Sequence, residues 1–249
     1  MKSFFSVDGG LYKFMTRLRD ILVLNFLWLL CSIPIVTFGA ATTAAYSITM
    51  KMVANEEGYI AGPFFKEFKA NLKKGCPMGI MFLVAVYAMY IEFQLYHLEK
   101  GNMRTFLLIV FIVGVILIYT HFIFAFPLLS RYENGVINTL RNSHTIAIRY
   151  FMRSIFLAIL LAIEFVIIFF NLTTMFVALL IGPASVILTV AANARPIFLK
   201  VEEQYPTETV PKEEPVEEYV PGDVVDGPVN ADTIKALKDD LSEDEKSDD

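Results

Sequence analysis

Residues 154–194 read SIFLAILLAIEFVIIFFNLTTMFVALLIGPASVILTVAANA, and between Arg153 and Arg195 the only ionisable side chain is Glu164. A helix crossing the hydrocarbon core needs about 20 apolar residues at about 1.5 Å each. Two such helices fit here, Ser154–Phe170 and Met175–Ala194, joined by the uncharged turn Asn171–Thr174. Both are apolar on every side, whereas barrel strands alternate polar and apolar positions.

Upstream lie three more apolar stretches: Thr105–Phe126, Pro77–Tyr96, and Ile21 to about Phe38, the last continuing through the small-residue run GAATTAAYSITM to Met50. The chain of 249 residues is 55% hydrophobic and 19% charged, with a mean hydropathy of +0.54. A soluble domain is nearer 45–50% apolar and about 25% charged, so a soluble enzyme of this length is excluded. The expected fold is all-α: a polytopic transmembrane bundle of about five spans.

Charge sets the expected orientation. Lys51–Lys74 carries five lysines, and 127–153 carries Arg131, Arg141, Arg149 and Arg153. Short loops rich in Lys and Arg stay in the cytoplasm, which puts these loops and the C-terminus inside, and 97–104 and 171–174 outside. The first segment conflicts with this rule, because Lys2, Lys13, Arg17 and Arg19 precede it and Lys51 follows it. A re-entrant segment broken near Pro34 and Gly39 keeps both flanks inside. One helix kinked at Pro34 fits the 30 residues from Ile21 to Met50 better, since two crossings need about 40. Five spans is the favoured count.

In PFFKEFKANLKKG (63–75), Phe64, Phe68 and Leu72 recur every four residues, with Phe65 beside them and Lys66, Lys69, Lys73 and Lys74 displaced to the other side. This pattern predicts an amphipathic cytoplasmic helix, lying on the inner leaflet or docked on the protein's own face.

The net charge of −5 averages two unlike parts. Residues 201–249 hold 17 acidic and 4 basic side chains, a net −13, and the preceding 200 residues carry +8. The expected division is a membrane domain over 1–200 and an acidic, Pro-rich disordered cytoplasmic tail over 201–249, in which 232–241 reads as a transient helix, with a short docking helix as the alternative. The basic body matches a cytoplasmic membrane face, with the lipid bilayer as partner, rather than nucleic-acid binding.

Chemical motifs are scarce. The chain has no P-loop, HExxH, CxxC pair or GxSxG elbow. His97, His121 and His144 are far apart in sequence, and no cofactor is expected. GCPMG (75–79) matches GxxxG at the mouth of a span, a weak dimer signal next to Pro77. Within the spans, Glu164, His121 and Asn25 form a candidate polar site. Glu164 is expected near mid-membrane, with His121 its best partner at that depth. Such groups face the protein interior or a wet path. Asn25 and Gln94 read as helix–helix hydrogen bonders, and Glu92 as snorkelling outward.

Two stretches carry a resemblance. NFLWLLCSIPIVTFGAATTAAY (25–46) and GPFFKEFKANLKKG (62–75) resemble the YesL family of bacterial membrane proteins. The matching positions are Asn25, Leu27, Trp28, Ser32, Pro34, Thr37, Gly39 and Ala44, then Phe64, Phe65, Phe68 and Asn71. The resemblance covers residues 1 to about 205, without the acidic tail. It implies a multi-pass plasma-membrane protein of a Gram-positive bacterium whose biochemical activity is unknown, with genes often beside carbohydrate transporters and two-component sensors. No catalytic residues carry over. The expected function is a non-enzymatic accessory or regulatory component of carbohydrate uptake, with a carbohydrate transporter or sensor as partner. The alternative is a transporter or permease subunit that uses Glu164 or a cavity near Pro34.

Overall fold

Proline has no amide hydrogen, and its ring forces the preceding residue out of the helical region. In the computed structural model, which describes residues 10–56 and 58–204, Pro34 separates α1 (Gly10–Ser32) from a 3₁₀ turn (Ile35–Thr37) and α2 (Phe38–Ala54). Pro34 is extended (φ −73°, ψ 114°). The Thr37 hydroxyl donates to the Cys31 carbonyl at 2.7 Å, which closes the exposed end of α1. At the other end Asn55 takes a left-handed conformation (φ 58°) that terminates α2.

The two helices run antiparallel. Trp28 Nε1 donates to Thr42 Oγ1 at 3.1 Å, and Arg17 Nη2 donates to Asn55 Oδ1 at 3.3 Å. Both basic flanks therefore sit at one end of a helical hairpin, whose tip exposes Ile33, Ile35 and Val36. A helical hairpin broken at Pro34 stands where one kinked helix was favoured, which is the shape of the re-entrant alternative. The apolar part of α1, Ile21–Ser32, is too short to cross a bilayer alone.

The remaining helices are α3 (Ala61–Leu98), α4 (Gly101–Phe122), α5 (Ala125–Arg131), α6 (Val136–Arg149), α7 (Phe151–Ile168) and α8 (Leu172–Gln204). No strand occurs among the described residues. Four segments are long and apolar enough to cross a membrane: α3, α4 continuing into α5, α7 and α8. Four candidate spans and a hairpin thus stand where about five spans were expected.

The core helix is α2, the small-residue run. Every residue from Gly39 to Met50 is buried. Without an aqueous driving force, helices associate by close backbone approach, which Gly, Ala, Ser and Thr permit. Gly39 makes the closest approach. A Cβ built on it would lie 2.0 Å from the Gly75 carbonyl oxygen and 2.6 Å from Gly79 Cα. The GxxxG of 75–79 is therefore a crossing point within the chain, α3 against α2. Since α2 runs antiparallel to α3 from there, the hairpin lies beside the lysine-bearing half of α3. Its tip reaches the level where the apolar stretch of α3 begins.

The amphipathic helix of 63–75 is not a separate element. It is the first part of α3, a rod of 38 residues and about 57 Å. Phe64 is fully buried in the core that also holds Met52 and Ile60, and it stacks on Phe68 at 6.4 Å. Asn71 is buried too, and its amide donates to the Glu67 carbonyl at 2.9 Å. This face docks on the protein itself. Lys66, Lys69 and Lys73 remain exposed, and Lys74 is 3.8 Å from Glu133.

The last helix, α8, runs on to Gln204. Glu202 is clamped there. Its Oε1 accepts from Arg131 Nε at 2.7 Å and from the Tyr132 hydroxyl at 2.5 Å, and its Oε2 accepts from Arg131 Nη2 at 3.0 Å. Burial first, then the Glu202 carboxylate, raises Tyr132 above the ordinary phenol range, so it stays a donor. Residues from 205 onward, including the helix expected over 232–241, lie outside the described residues. Deleting 206–249 should leave thermal stability in detergent unchanged, because the clamp survives. Deleting from 201 should lower stability by about 1.5–3 kcal/mol, the worth of a charged hydrogen-bonded pair. Equal stability of the two truncations would show that the clamp contributes nothing.

Candidate functional site

Two helix pairs rise from the α2 core. One is the second half of α3 with α4, where Phe93 and Phe111 meet at 5.9 Å. The other is α7 with the first half of α8. Among the described residues the two pairs make no close backbone contact and meet through the Tyr119–Ser154 hydrogen bond. A cleft of about 940 Å³ lies between them. Trp28, Phe38, Thr42 and Tyr46 of the hairpin form part of its lining. Phe82, Phe122 and Phe126 continue it, with Phe82 and Phe122 at 5.2 Å and Phe38 and Phe82 stacked at 6.2 Å. Residues of α7 and α8 such as Leu161, Ile168, Leu179 and Val186 line the opposite side.

Most polar groups on this surface already have partners. Trp28 Nε1 donates to Thr42 Oγ1, and Thr42 Oγ1 donates to the Phe38 carbonyl at 2.8 Å. The Tyr119 hydroxyl donates to the Ser154 carbonyl at 2.5 Å. Tyr46 is the exception. It is only 6% exposed, and its hydroxyl has no hydrogen bond among the described residues.

The structure scatters the three residues grouped as a polar site. Asn25 is 1% exposed and repairs a break in α8. Pro183 supplies no N–H, which leaves the carbonyl of Leu179, four residues earlier, without its helical donor. Asn25 Nδ2 donates to that carbonyl at 2.9 Å, and Asn25 Oδ1 accepts from the Ala184 amide at 3.1 Å. This is the expected helix–helix role, and it spans 154 residues of sequence.

His121 does not meet Glu164. Its ring stacks on His144 with centroids 4.4 Å apart, and its Nδ1 donates to the Leu117 carbonyl at 2.8 Å. His144 Nδ1 lies 3.2 Å from Thr120 Oγ1. The pairing of α4 with α6, rather than with α7, moves His121 away from its expected partner.

Glu164 instead accepts from Thr189 Oγ1 at 2.7 Å, across the α7–α8 contact. Its second oxygen is enclosed and has no partner among the described residues. Hydrogen bonds between membrane helices average about 0.6 kcal/mol in double-mutant cycles. Glu164→Gln, which keeps the acceptor, should therefore leave thermal stability unchanged, and Glu164→Leu should cost no more than about 1.5 kcal/mol. A larger loss for Leu, read as the melting shift in detergent, would mean that Glu164 supports more than Thr189.

Gln94 bonds the Tyr90 hydroxyl of its own helix at 2.7 Å, and Glu92 Oε1 is enclosed without a partner. Cys31 and Cys76 are free thiols. No three His, Cys, Asp or Glu side chains converge into a metal-sized group among the described residues.

Sequence reasoning missed Tyr46, Thr189 and the Glu202 clamp. Pro183 was a usable signal: a proline inside a span frees a known carbonyl and so demands a donor nearby. Nothing local identifies that donor as Asn25.

Residues 21–93 match a family described as "Protein of unknown function, DUF624". The matched stretch covers the apolar half of α1, the turn at Pro34, α2 and most of α3. No curated protein and no solved structure matches the chain.

Proposed function

We propose that this chain is a non-enzymatic, multi-pass accessory protein of a bacterial plasma membrane, serving carbohydrate uptake beside a transporter or sensor protein. One observation supports this reading above the others: most polar groups within the helical body are spent on holding helices together. Asn25 mends α8, His121 stacks on His144, and Trp28 and Thr42 bind each other. A sugar path needs free donors and acceptors, since burying a hydroxyl without a partner costs about 1–3 kcal/mol on mutational scales. The carbohydrate link comes from the YesL resemblance of 25–46 and 62–75.

In this reading the basic end of the molecule is cytoplasmic, with the hairpin flanks, the α5–α6 region and the C-terminus on that side. Single cysteines at Asn102 and Asn142, both exposed, test this in a background lacking Cys31 and Cys76. Position 102 should react with an impermeant thiol reagent on intact cells and position 142 only after permeabilisation. The reverse pattern would invert the topology.

The functional test is in-cell crosslinking of the full chain, followed by identification of the captured membrane proteins and measurement of sugar uptake in a deletion strain. Capture of a sugar permease or sensor, with reduced uptake, is the expected result. Normal uptake with no such capture would refute it.

A transporter reading keeps one observation in its favour, the unpartnered oxygen of Glu164. It requires the purified chain alone to move sugar across proteoliposomes and Glu164→Gln to stop it.

A further inference from the structure

We propose that the cleft between the two helix pairs is a binding site for an ester-linked glycerolipid, whose acyl chains fill the apolar space while an ester carbonyl accepts a hydrogen bond from Tyr46. This goes beyond the accessory role and does not depend on it.

The volume, about 940 Å³, is at the upper end of the range for small-molecule sites, about 300–1,000 Å³. The lining is apolar and aromatic, and Trp28, Thr42 and Tyr119 spend their hydrogen-bonding groups internally. A sugar or other hydroxyl-rich ligand would give up water there without replacement. A hydrocarbon chain gives up nothing. Among the described residues the α3–α4 and α7–α8 pairs meet through the Tyr119–Ser154 hydrogen bond and make no close backbone contact elsewhere, so a chain has a sideways route between them.

Tyr46 narrows the ligand class. The residue is 6% exposed and lines the cleft, and its hydroxyl makes no hydrogen bond among the described residues, so it offers one donor to whatever enters. The ester carbonyl of a glycerolipid, at the polar end of its acyl chains, can accept that hydrogen bond.

The chain carries its own reporter, because Trp28 is its only tryptophan and lines the cleft. Full-length protein in detergent would be titrated with a phosphatidylglycerol bearing a dibrominated acyl chain, with quenching of Trp28 as the readout. Saturable quenching near one lipid per protein is expected. Ala178→Leu, which fills the cleft wall, should weaken it at least tenfold. Tyr46→Phe, which removes only the hydroxyl, should weaken it about three- to tenfold, and the ether-linked analogue should bind wild type as weakly as the ester binds Tyr46→Phe. Should Ala178→Leu fail to fold, the Tyr46→Phe and ether comparisons decide alone. Quenching linear in lipid mole fraction, or saturable quenching untouched by either substitution, would overturn the proposal, as would equal binding of ester and ether lipids to wild type.

Discussion

Gly39→Ala should destabilise the protein by about 3 kcal/mol or more, the largest effect expected of any single methyl added to this chain. Overpacking usually costs about 1–3 kcal/mol because side chains can shift. Here the obstructing atoms are backbone: the Gly75 carbonyl oxygen at 2.0 Å, and Gly79 Cα and amide nitrogen, both at 2.6 Å. No rotamer change relieves them, so α2 and α3 have to move apart along the main seam of the core. Gly79→Ala should act similarly, since its Cβ would lie 2.5 Å from the Gly39 amide nitrogen. Gly58 has open space around it, and Gly58→Ala is the control, expected within about 0.5 kcal/mol of wild type. The melting temperature and the monodisperse fraction in mild detergent are the measurements. Wild-type behaviour of Gly39→Ala would show that the two helices do not cross as described.

Asn25→Leu should be the second most damaging change, at about 2–5 kcal/mol. It strands two backbone groups at once, the Leu179 carbonyl and the Ala184 amide, and each costs about 1–3 kcal/mol when buried without a partner. The mechanism makes a sharper claim than the loss itself. Pro183→Ala restores an N–H four residues beyond Leu179, so it should recover about 1–2 kcal/mol in the Asn25→Leu background, while having little effect alone. Additive effects in this double-mutant cycle would mean that Asn25 does not act through the proline break.

These two sites show what could be read along the chain and what could not. The helical periods, the apolar lengths and the clustering of lysine and arginine are local properties, and the four long apolar helices follow from them. The conflict in the first segment was also legible: basic residues on both flanks demand that both ends return to one side. Length argued for a kinked crossing, and charge argued for a hairpin. The hairpin resolves both, because α1 and α2 lie beside the lysine-bearing half of α3 and need not cross. The burial of Phe64 instead of its insertion in lipid has the same cause. An amphipathic face needs an apolar surface, and the small residues of α2 supply one within the protein.

The sequence by itself therefore determined an all-helical, membrane-spanning body, because hydrophobic length and charge asymmetry act residue by residue and survive any arrangement of the helices. Only the tertiary structure decided which polar groups meet. Asn25 finds Leu179, Glu164 finds Thr189 and His121 finds His144 through the rotation and register of helices packed side by side. A turn of about 100° per residue moves a side chain from one neighbour to another without changing the hydrophobic pattern that predicts the helix. Placing Glu164 and His121 at similar depth was therefore not enough to pair them, and the cleft with its single unpartnered tyrosine exists only because two helix pairs diverge from a core made of glycine, alanine and threonine.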